Sequence, residues 1–232
     1  MADDAARHVE ASPGGEPAWL LADRALYWPA RRRLLLSDLH LGKGDAFRRA
    51  GIVLPRGGTA HDLARLAAAI AYTGATSVWI LGDVLHGAVN DSAWQADWRA
   101  FRDAHAGLDL AALAGNHDRQ LAGAGLGLRL LGEGVDDGPF ALRHEPDDVP
   151  GLHVLAGHVH PALTVPGLGQ RRWPVFWLRS RSTVLPAFSA FTGGGPMALA
   201  PRDGLVVCAD GVAAWLRRPA HEPRVKRARQ PG

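Results

Sequence analysis

Five clusters of polar side chains stand in the sequence directly after short apolar runs. They are Asp38-Leu39-His40, Gly82-Asp83, Gly115-Asn116-His117-Asp118, His144 and Gly157-His158-Val159-His160. Carboxylates, amide oxygens and neutral imidazoles are groups that bind divalent ions of the first transition row. A single Asp or His after a strand is common in turns, but turn chemistry does not explain a whole series of them. The clusters therefore predict a metal site assembled from several loops.

The elements that must position these clusters alternate along the first half of the chain. Apolar strands are predicted at 33–36, 77–81 and 109–114, with one helix behind a possible N-cap at Thr59 and a second helix over 92–105. This βαβαβ pattern predicts a parallel sheet. Because ligands of such sheets bind beyond the carboxyl ends of the strands, we expect the clusters to meet in one crevice.

The second half of the chain has a different pattern, with short apolar runs separated by Gly and Pro. Strands are predicted at 139–143, 152–156, 162–165, 173–178, 182–185, 204–208 and 212–216. Helical periodicity is nearly absent there. We therefore expect a second sheet that packs against the first, with helices on the outer faces.

The positive net charge belongs to one end of the chain. The 232 residues contain 26 Lys and Arg against 23 Asp and Glu, for a net charge of +3. Residues 217–232 alone hold six basic side chains and one acid, so the remainder is near neutral. Both ends are rich in Pro, Gly and charge, which predicts a flexible segment over 1–16, one domain over 17–216 and a flexible basic tail over 217–232.

Cysteine content and hydropathy exclude other classes of protein. The single cysteine, Cys208, can form neither an internal disulfide nor a cysteine-based zinc site. No apolar run approaches the roughly 18 residues of a membrane span, and no signal-peptide pattern begins the chain. The expected location is the cytoplasm, without a membrane partner.

The ordered clusters resemble the signature of the binuclear calcineurin-like metallophosphoesterases, and every position of that signature is filled. Neighbouring motifs are similar to those of one branch, the ligase-associated DNA damage response endonucleases (PdeM). These motifs are SDLHLGKG at 37–44, FRRAG at 47–51, RHEP at 143–146, HVHP at 158–161, LPAF at 185–188 and FTGG at 191–194. The resemblance spans residues 19 to about 215 and implies an α/β fold, a four-layer α-β-β-α sandwich of two packed mixed sheets.

The resemblance also implies a centre with two metal ions. It assigns Asp38, His40 and His160 to one ion, Asn116, His144 and His158 to the other, and Asp83 to a bridge between them. Two such ions can activate a shared water for in-line attack and stabilise both the attacking and the leaving oxygen at phosphorus. His117 would contact the phosphate and protonate the leaving oxygen, with Asp118 orienting its ring. Manganese is favoured by the resemblance, although the mixed oxygen and nitrogen shell also suits iron, zinc or cobalt.

Several further side chains close to the clusters could contact substrate phosphates. They are Lys43, Arg48, Arg49, His86 and Arg119. Such groups suit the flanking phosphates of a nucleic acid and a small charged substrate equally well. The resemblance, rather than these charges, implies single-stranded DNA as the substrate and a role in DNA repair. It also implies a functional link to an ATP-dependent DNA ligase, a helicase and an exonuclease.

Other functions stay open on the sequence. The same metal centre could hydrolyse a small-molecule or cyclic-nucleotide phosphodiester. A non-catalytic scaffold could keep the fold, although the complete clusters and His117 argue against that reading. The basic tail could instead make the protein a nucleic-acid-binding accessory, because positive charge raises non-specific, salt-sensitive affinity for phosphate backbones.

Overall fold

A computed structural model describes residues 6–86 and 93–220, and two packed β-sheets form its centre. The first sheet has its strands in chain order: β1 (His8–Ala11), β2 (Ala18–Leu21), β3 (Leu26–Trp28), β4 (Arg33–Leu36), β5 (Ser77–Ile80), β6 (Asp109–Ala112) and β7 (Arg129–Leu130). Strands β4 to β7 pair in parallel, as the βαβαβ pattern predicts. The first four strands are antiparallel neighbours, so the sheet is mixed.

The predicted flexible segment over residues 1–16 is wrong for residues 8–16. Strand β1 pairs with β2, and a 3₁₀ turn follows at Pro13–Gly15. Val9 and Ala11 alternate toward the core between the sheets, and the His8 ring stacks on Trp19 at 4.4 Å. This two-residue period is short and lies among charged residues, which hides it in the sequence. Residues 1–5 and 221–232 of the two predicted flexible ends lie outside the described residues.

In the described residues, three α-helices accompany the first sheet: α1 (Lys43–Arg49), α2 (Gly58–Thr73) and α3 (Ala93–Ala104). Leu63 and Leu66 of α2 and Trp94, Trp98 and Phe101 of α3 pack on the outer face of this sheet. The N-cap of α2 is Gly57, rather than Thr59 as we predicted. None of the helices in the described part of the chain is long and apolar enough to span a membrane.

The second sheet contains the short strands of the second half in a mixed arrangement. They are β8 (Gly134–Asp137), β9 (Phe140–Arg143), β10 (His153–Ala156), β11 (Ala162–Thr164), β12 (Arg172–Leu178), β13 (Ser182–Val184), β14 (Gly204–Ala209) and β15 (Val212–Arg217). The order is β15-β14-β12-β13-β10-β9-β8, with β11 paired to β12. Strand β10 is parallel to both β9 and β13, while the other pairings are antiparallel.

The main core lies between the two sheets and confirms the predicted packing of two mixed sheets. Leu35, Trp79 and Leu113 on or beside the first sheet meet Phe140 and Phe176 of the second. The helical layer that we predicted outside the second sheet is absent from the described residues. Side chains of the loops around β11 and β12 cover that face instead, because the connecting segments there are too rich in Gly and Pro for helices.

Candidate metal centre

The five predicted clusters occupy the loops that follow β4, β5, β6, β9 and β10. Backbone hydrogen bonds continue the parallel pairing beyond the strands, from Asp38 N to Gly82 O at 3.2 Å and from His40 N to Asp83 O at 2.9 Å. In the second sheet, Gly157 N donates to His144 O at 3.0 Å. These bonds hold the polar side chains of neighbouring loops at one edge of the two sheets.

Asp38, His40 and His160 form one group of potential ligands, with ligand atoms within 4.8 Å of one another. His160 Nε2 lies 3.1 Å from Asp38 Oδ1. Both of these atoms and His40 Nε2 are buried without a hydrogen-bond partner among the described residues. Buried polar atoms without partners are costly, so their convergence fits a cation held between them.

The protonation states in this group suit metal binding. Burial, with a smaller contribution from the Lys43 ammonium, lowers the pKa of His40 to about 3, so its imidazole is neutral. Burial alone would raise the pKa of the Asp38 carboxyl, but the neighbouring His160, Ser37 and His40 outweigh it and lower that pKa. An ionised carboxylate beside a neutral imidazole is the state in which both side chains bind a metal.

Asp83 lies between this group and a second one. Asp38, Asp83 and His144 also have ligand atoms within 4.8 Å of one another. Asp83 Oδ1 is 3.5 Å from His144 Nε2, while Asp83 Oδ2 is 4.0 Å from His40 Nε2. One carboxylate therefore faces both groups, as a bridging ligand must.

The second group continues from His144 to His158. His144 Nδ1 donates to the Leu81 carbonyl at 2.9 Å, and His144 Nε2 lies 3.2 Å from His158 Nδ1. Asn116, the third predicted ligand on this side, has an exposed side chain. Its amide Nδ2 donates to Glu145 Oε1 at 3.3 Å. The structure thus brings His144 and His158 together and directs the Asn116 amide nitrogen toward Glu145.

The backbone of these loops adopts unusual conformations. Five of the predicted ligands have positive φ angles, which are 55° at Asp38, 49° at His40, 52° at Asp83, 64° at His158 and 50° at His160. Such conformations are uncommon for residues other than glycine, and they concentrate at functional sites. Gly115 also passes so close to Asp83 that a Cβ there would lie 2.3 Å from Oδ1 of its carboxylate. The loops are shaped to bring ligand atoms together, at a cost in backbone freedom.

Two histidines lie beside the groups. The His117 side chain is half exposed, and its Nε2 is 3.9 Å from Asp83 Oδ2. Its ring centroid lies 5.6 Å from that of His40 and 5.5 Å from that of His86. The His86 ring centroid lies 5.5 Å from that of His40. His117 and His86, which we predicted to contact substrate, therefore lie next to the candidate metal ligands.

Asp118 has a different role from the one that we predicted. Its Oδ2 accepts the N–H groups of Val84 at 3.2 Å and Gly115 at 2.9 Å, and its Oδ1 accepts that of Leu85 at 2.9 Å. The carboxylate therefore joins the loop after β5 to the loop after β6. Burial raises the pKa of Asp118, an effect that these three hydrogen bonds oppose. Asp118 fixes the position of two loops instead of orienting the His117 ring.

The predicted cations differ in their distance from the centre. Lys43 donates to Thr192 Oγ1 at 3.1 Å, and burial lowers its pKa although Asp38 and Asp83 oppose that shift. Arg48 pairs with Asp45 and donates to the Pro55 carbonyl at 3.0 Å. The other two predicted cations, Arg49 and Arg119, are exposed. Lys43 lies near enough to the centre to lower the pKa of the candidate ligand His40.

Comparisons with known proteins match this arrangement. A family model described as calcineurin-like phosphoesterase matches residues 31–149. The crystal structure of Pseudomonas putida nuclease MPE is 36% identical, with a TM-score of 0.77, over 90% of this chain and 100% of that chain. The chain belongs to the calcineurin-like phosphoesterase family. A phosphoesterase from E. coli, Yfce, is 19% identical with a TM-score of 0.45 over 80% of this chain and 98% of that chain. A search of curated proteins gave no match.

As a member of this family, the protein is a metal-dependent hydrolase of phosphoester bonds, as the sequence predicts. Members of the family use two metal ions, and the two groups of potential ligands fit that requirement. The observation that decides the fit is the set of buried, unpartnered ligand atoms on Asp38, His40 and His160. When bound, two divalent ions lower the pKa of a water and offset the charge that develops at phosphorus.

Sequence reasoning missed two residues, one at the phosphoesterase centre and one in a groove between the helices. Glu145 contacts Asn116 and also approaches His158 Nε2 to 3.9 Å. Arg56 lines, with Arg48, a groove of about 250 Å³ between the N-terminal parts of the three helices. Glu145 directly follows a predicted ligand, so proximity in sequence could have indicated it. Nothing local in the sequence distinguishes Arg56 from an ordinary surface cation.

Replacing Asp118 by Ala is expected to destabilise this phosphoesterase by about 3 kcal/mol, because two buried N–H groups and a partly buried one lose their acceptor. Urea unfolding followed by circular dichroism measures the change. His117→Ala is the comparison variant, and its unfolding free energy should change by less than about 0.5 kcal/mol because that side chain is half exposed. Equal stability of Asp118→Ala and wild type would contradict the role in joining the two loops.

Proposed function

We propose that the protein is a binuclear metal-dependent phosphodiesterase that cuts single-stranded DNA in DNA repair, with manganese as the favoured metal. The convergence of four loops, those after β4, β5, β9 and β10, on two groups of ligand atoms supports this proposal most strongly. Similarity to the P. putida nuclease over 90% of the chain supports a nucleic-acid substrate. The links to DNA repair, to an ATP-dependent ligase, a helicase and an exonuclease, and to the cytoplasm rest on the sequence resemblance.

The proposed ligand sets extend the two groups. One ion would be held by Asp38, His40 and His160, whose ligand atoms converge. The other would be held by His144, by the neighbouring His158 and by Asn116, and Asp83 would contribute to both. The position of Asp83, with one oxygen toward His144 and the other toward His40, supports its bridging role. A carboxylate and neutral imidazoles suit manganese, iron, cobalt and zinc alike, so the metal must be determined by measurement.

His117 is proposed to protonate the oxygen that leaves phosphorus. Its backbone is anchored beside the ligands, because its N–H donates to Asp83 Oδ1 at 3.0 Å. Its half-exposed ring remains accessible from the cleft, and Nε2 can deliver a proton there. Lys43 and His86 stand beside the same cleft, where they can contact the non-bridging phosphate oxygens.

Basic side chains on and beside α1 are candidates for contacts with a polymeric substrate, and two acids, Asp45 and Asp97, line the same groove. Helix α1 begins three residues after His40, and its Arg48 lines the groove with Arg56. Arg49 adds an exposed cation to the same helix. Phosphate contacts of this kind position a nucleic-acid chain without reading its sequence. We therefore expect cleavage with little sequence preference and strong dependence on salt.

The direct test is nicking of circular single-stranded DNA by metal-stripped protein to which Mn²⁺ is added. We expect Mn²⁺-dependent nicking, and much weaker cleavage of an RNA of matched sequence. A nitrophenyl phosphodiester serves as the small substrate, and Asp83→Asn protein controls for contaminating nucleases. Hydrolysis of the small phosphodiester without nicking would contradict the DNA substrate and favour a small-molecule phosphodiesterase. Absence of both activities across Mn²⁺, Fe²⁺, Co²⁺ and Zn²⁺ would contradict the phosphodiesterase itself.

A further inference from the structure

The carboxylate of Glu145 stands at the outer side of the second ligand group. Its Oε1 lies 3.3 Å from Asn116 Nδ2 and 3.9 Å from His158 Nε2. We propose that Glu145 is a positioning residue that turns Asn116 and His158 into the orientations in which they bind the second ion. The inference rests on the proposed binuclear site, and it concerns a residue outside the proposed ligand sets.

A backbone carbonyl fixes the orientation of the His144 ring. A carbonyl oxygen can only accept a hydrogen bond, so the contact with Leu81 O places the proton of the neutral ring on Nδ1. His144 Nε2 then carries a lone pair, and in the absence of an ion His158 Nδ1 can donate to it at 3.2 Å. The Leu81 carbonyl thus fixes the tautomer of the His144 ring.

Among the described residues, no backbone carbonyl accepts from the second nitrogen of His158 in this way. For its Nδ1 to bind an ion beside His144, the proton of the neutral ring must reside on Nε2. Glu145 Oε1 lies 3.9 Å from that nitrogen, within reach of a small rotation of either side chain. A carboxylate behind a ligating histidine favours the required tautomer and fixes the ring. In this proposal, Glu145 accepts a hydrogen bond from His158 Nε2, as the Leu81 carbonyl accepts one from His144 Nδ1.

Asn116 needs the same partner for a different reason. Its amide can bind a cation only through Oδ1, because the NH₂ group carries donors alone. The hydrogen bond from Nδ2 to Glu145 Oε1 ties the donor end of the amide to the carboxylate. The carbonyl end is then directed away from Glu145. One carboxylate oxygen can therefore orient an amide ligand and an imidazole ligand together.

Binding of Mn²⁺ to the full chain tests this proposal, followed through the electron paramagnetic resonance signal of the free ion. Wild-type protein should bind two ions. Glu145→Ala should lower the affinity of one ion by about 10- to 100-fold, as is usual when an outer partner of a ligand is removed. The affinity of the other ion should stay unchanged. Glu145→Gln keeps an acceptor oxygen and should lose less affinity than Glu145→Ala.

Asp147→Ala is the matched control, because it removes an exposed carboxylate from the same turn. Equal weakening of both ions, or the same weakening in Asp147→Ala, would overturn the positioning role in favour of a general charge effect. Unchanged affinities in Glu145→Ala with two ions bound would overturn it while leaving the proposed function standing. Wild-type protein that binds fewer than two ions would overturn both proposals. Unfolding of each metal-free variant by urea verifies that the fold is intact.

Discussion

Asp83→Asn is expected to lower kcat/KM by at least about 10³-fold, because bound ions contribute several kcal/mol to stabilisation of the transition state. The reason lies in the position of Asp83 between the two ligand groups, where its oxygens face His144 and His40. An amide in its place removes the negative charge that the proposed bridge would supply to both ions. Rates with the nitrophenyl phosphodiester and with DNA should fall together, since both substrates depend on the same centre.

Asparagine separates the charge of Asp83 from its structural contribution. The residue has a φ of 52°, which Asn tolerates far better than Ala does. The side-chain carbonyl of Asn can still accept the hydrogen bond from His117 N, which Asp83 Oδ1 accepts at 3.0 Å. Metal-free Asp83→Asn should therefore be as stable as metal-free wild type. Added Mn²⁺ at 100 times its dissociation constant should stabilise wild type by about 2.7 kcal/mol and the variant by much less.

Asp210→Asn provides the matched control for this substitution. Asp210 also has a positive φ, 47°, but it lies in the turn between β14 and β15 with an exposed side chain. The same chemical change there should alter neither the rate nor the Mn²⁺-induced stabilisation. Activity of Asp83→Asn within tenfold of wild type, or an unchanged response to Mn²⁺, would contradict the bridging role.

The strands that carry the metal centre could be predicted because each one ends where an apolar run meets a polar cluster. Leu34 to Leu36 lead into Asp38, and Val154 to Ala156 lead into His158. The burial of both strands follows from their composition, and the shared edge follows from parallel pairing. Approximate strand positions were therefore sufficient to place the ligands at one edge.

Contacts between distant loops could not be predicted in the same way. Asp118 accepts hydrogen bonds from Val84 and Leu85, more than thirty positions earlier in the chain. Its place in a GNHD motif gave no indication of these partners. Likewise, the orientation of the Asn116 amide depends on Glu145, which another strand brings into place. The residue types of a site can be read locally, whereas the side chains that orient them depend on tertiary packing.

The N-terminal strands escaped prediction for an energetic reason. Strand β1 has only four residues, and its stability depends on pairing with β2 and on the contact of His8 with Trp19 and Tyr72. A strand of this length has little intrinsic preference for its conformation. The charged and Gly-rich residues around β1 therefore indicated a flexible segment instead of a strand.

His117→Asn is expected to slow DNA cleavage by about 10²- to 10⁴-fold, the usual contribution of a general acid. His117 belongs to neither group of candidate ligands formed by the described His, Asp and Glu residues, so binding of Mn²⁺ should be unchanged. His61→Asn is the matched control, because His61 is an exposed histidine on α2. A rate equal to wild type, or loss of Mn²⁺ binding in His117→Asn, would contradict the role of a proton donor.

The leaving group decides whether His117 acts through its proton. A DNA alkoxide is a strong base and must be protonated as it departs, whereas a nitrophenolate departs without a proton. His117→Asn should therefore slow DNA cleavage much more than hydrolysis of the nitrophenyl phosphodiester. Equal slowing of both substrates would mean that His117 contributes by contacting the phosphate, since that contact serves either leaving group. The His117 side chain is half exposed, and its Nε2 lies 3.9 Å from Asp83 Oδ2. This position allows His117 to donate a proton or to contact the phosphate, and the ratio of the two rates separates these contributions.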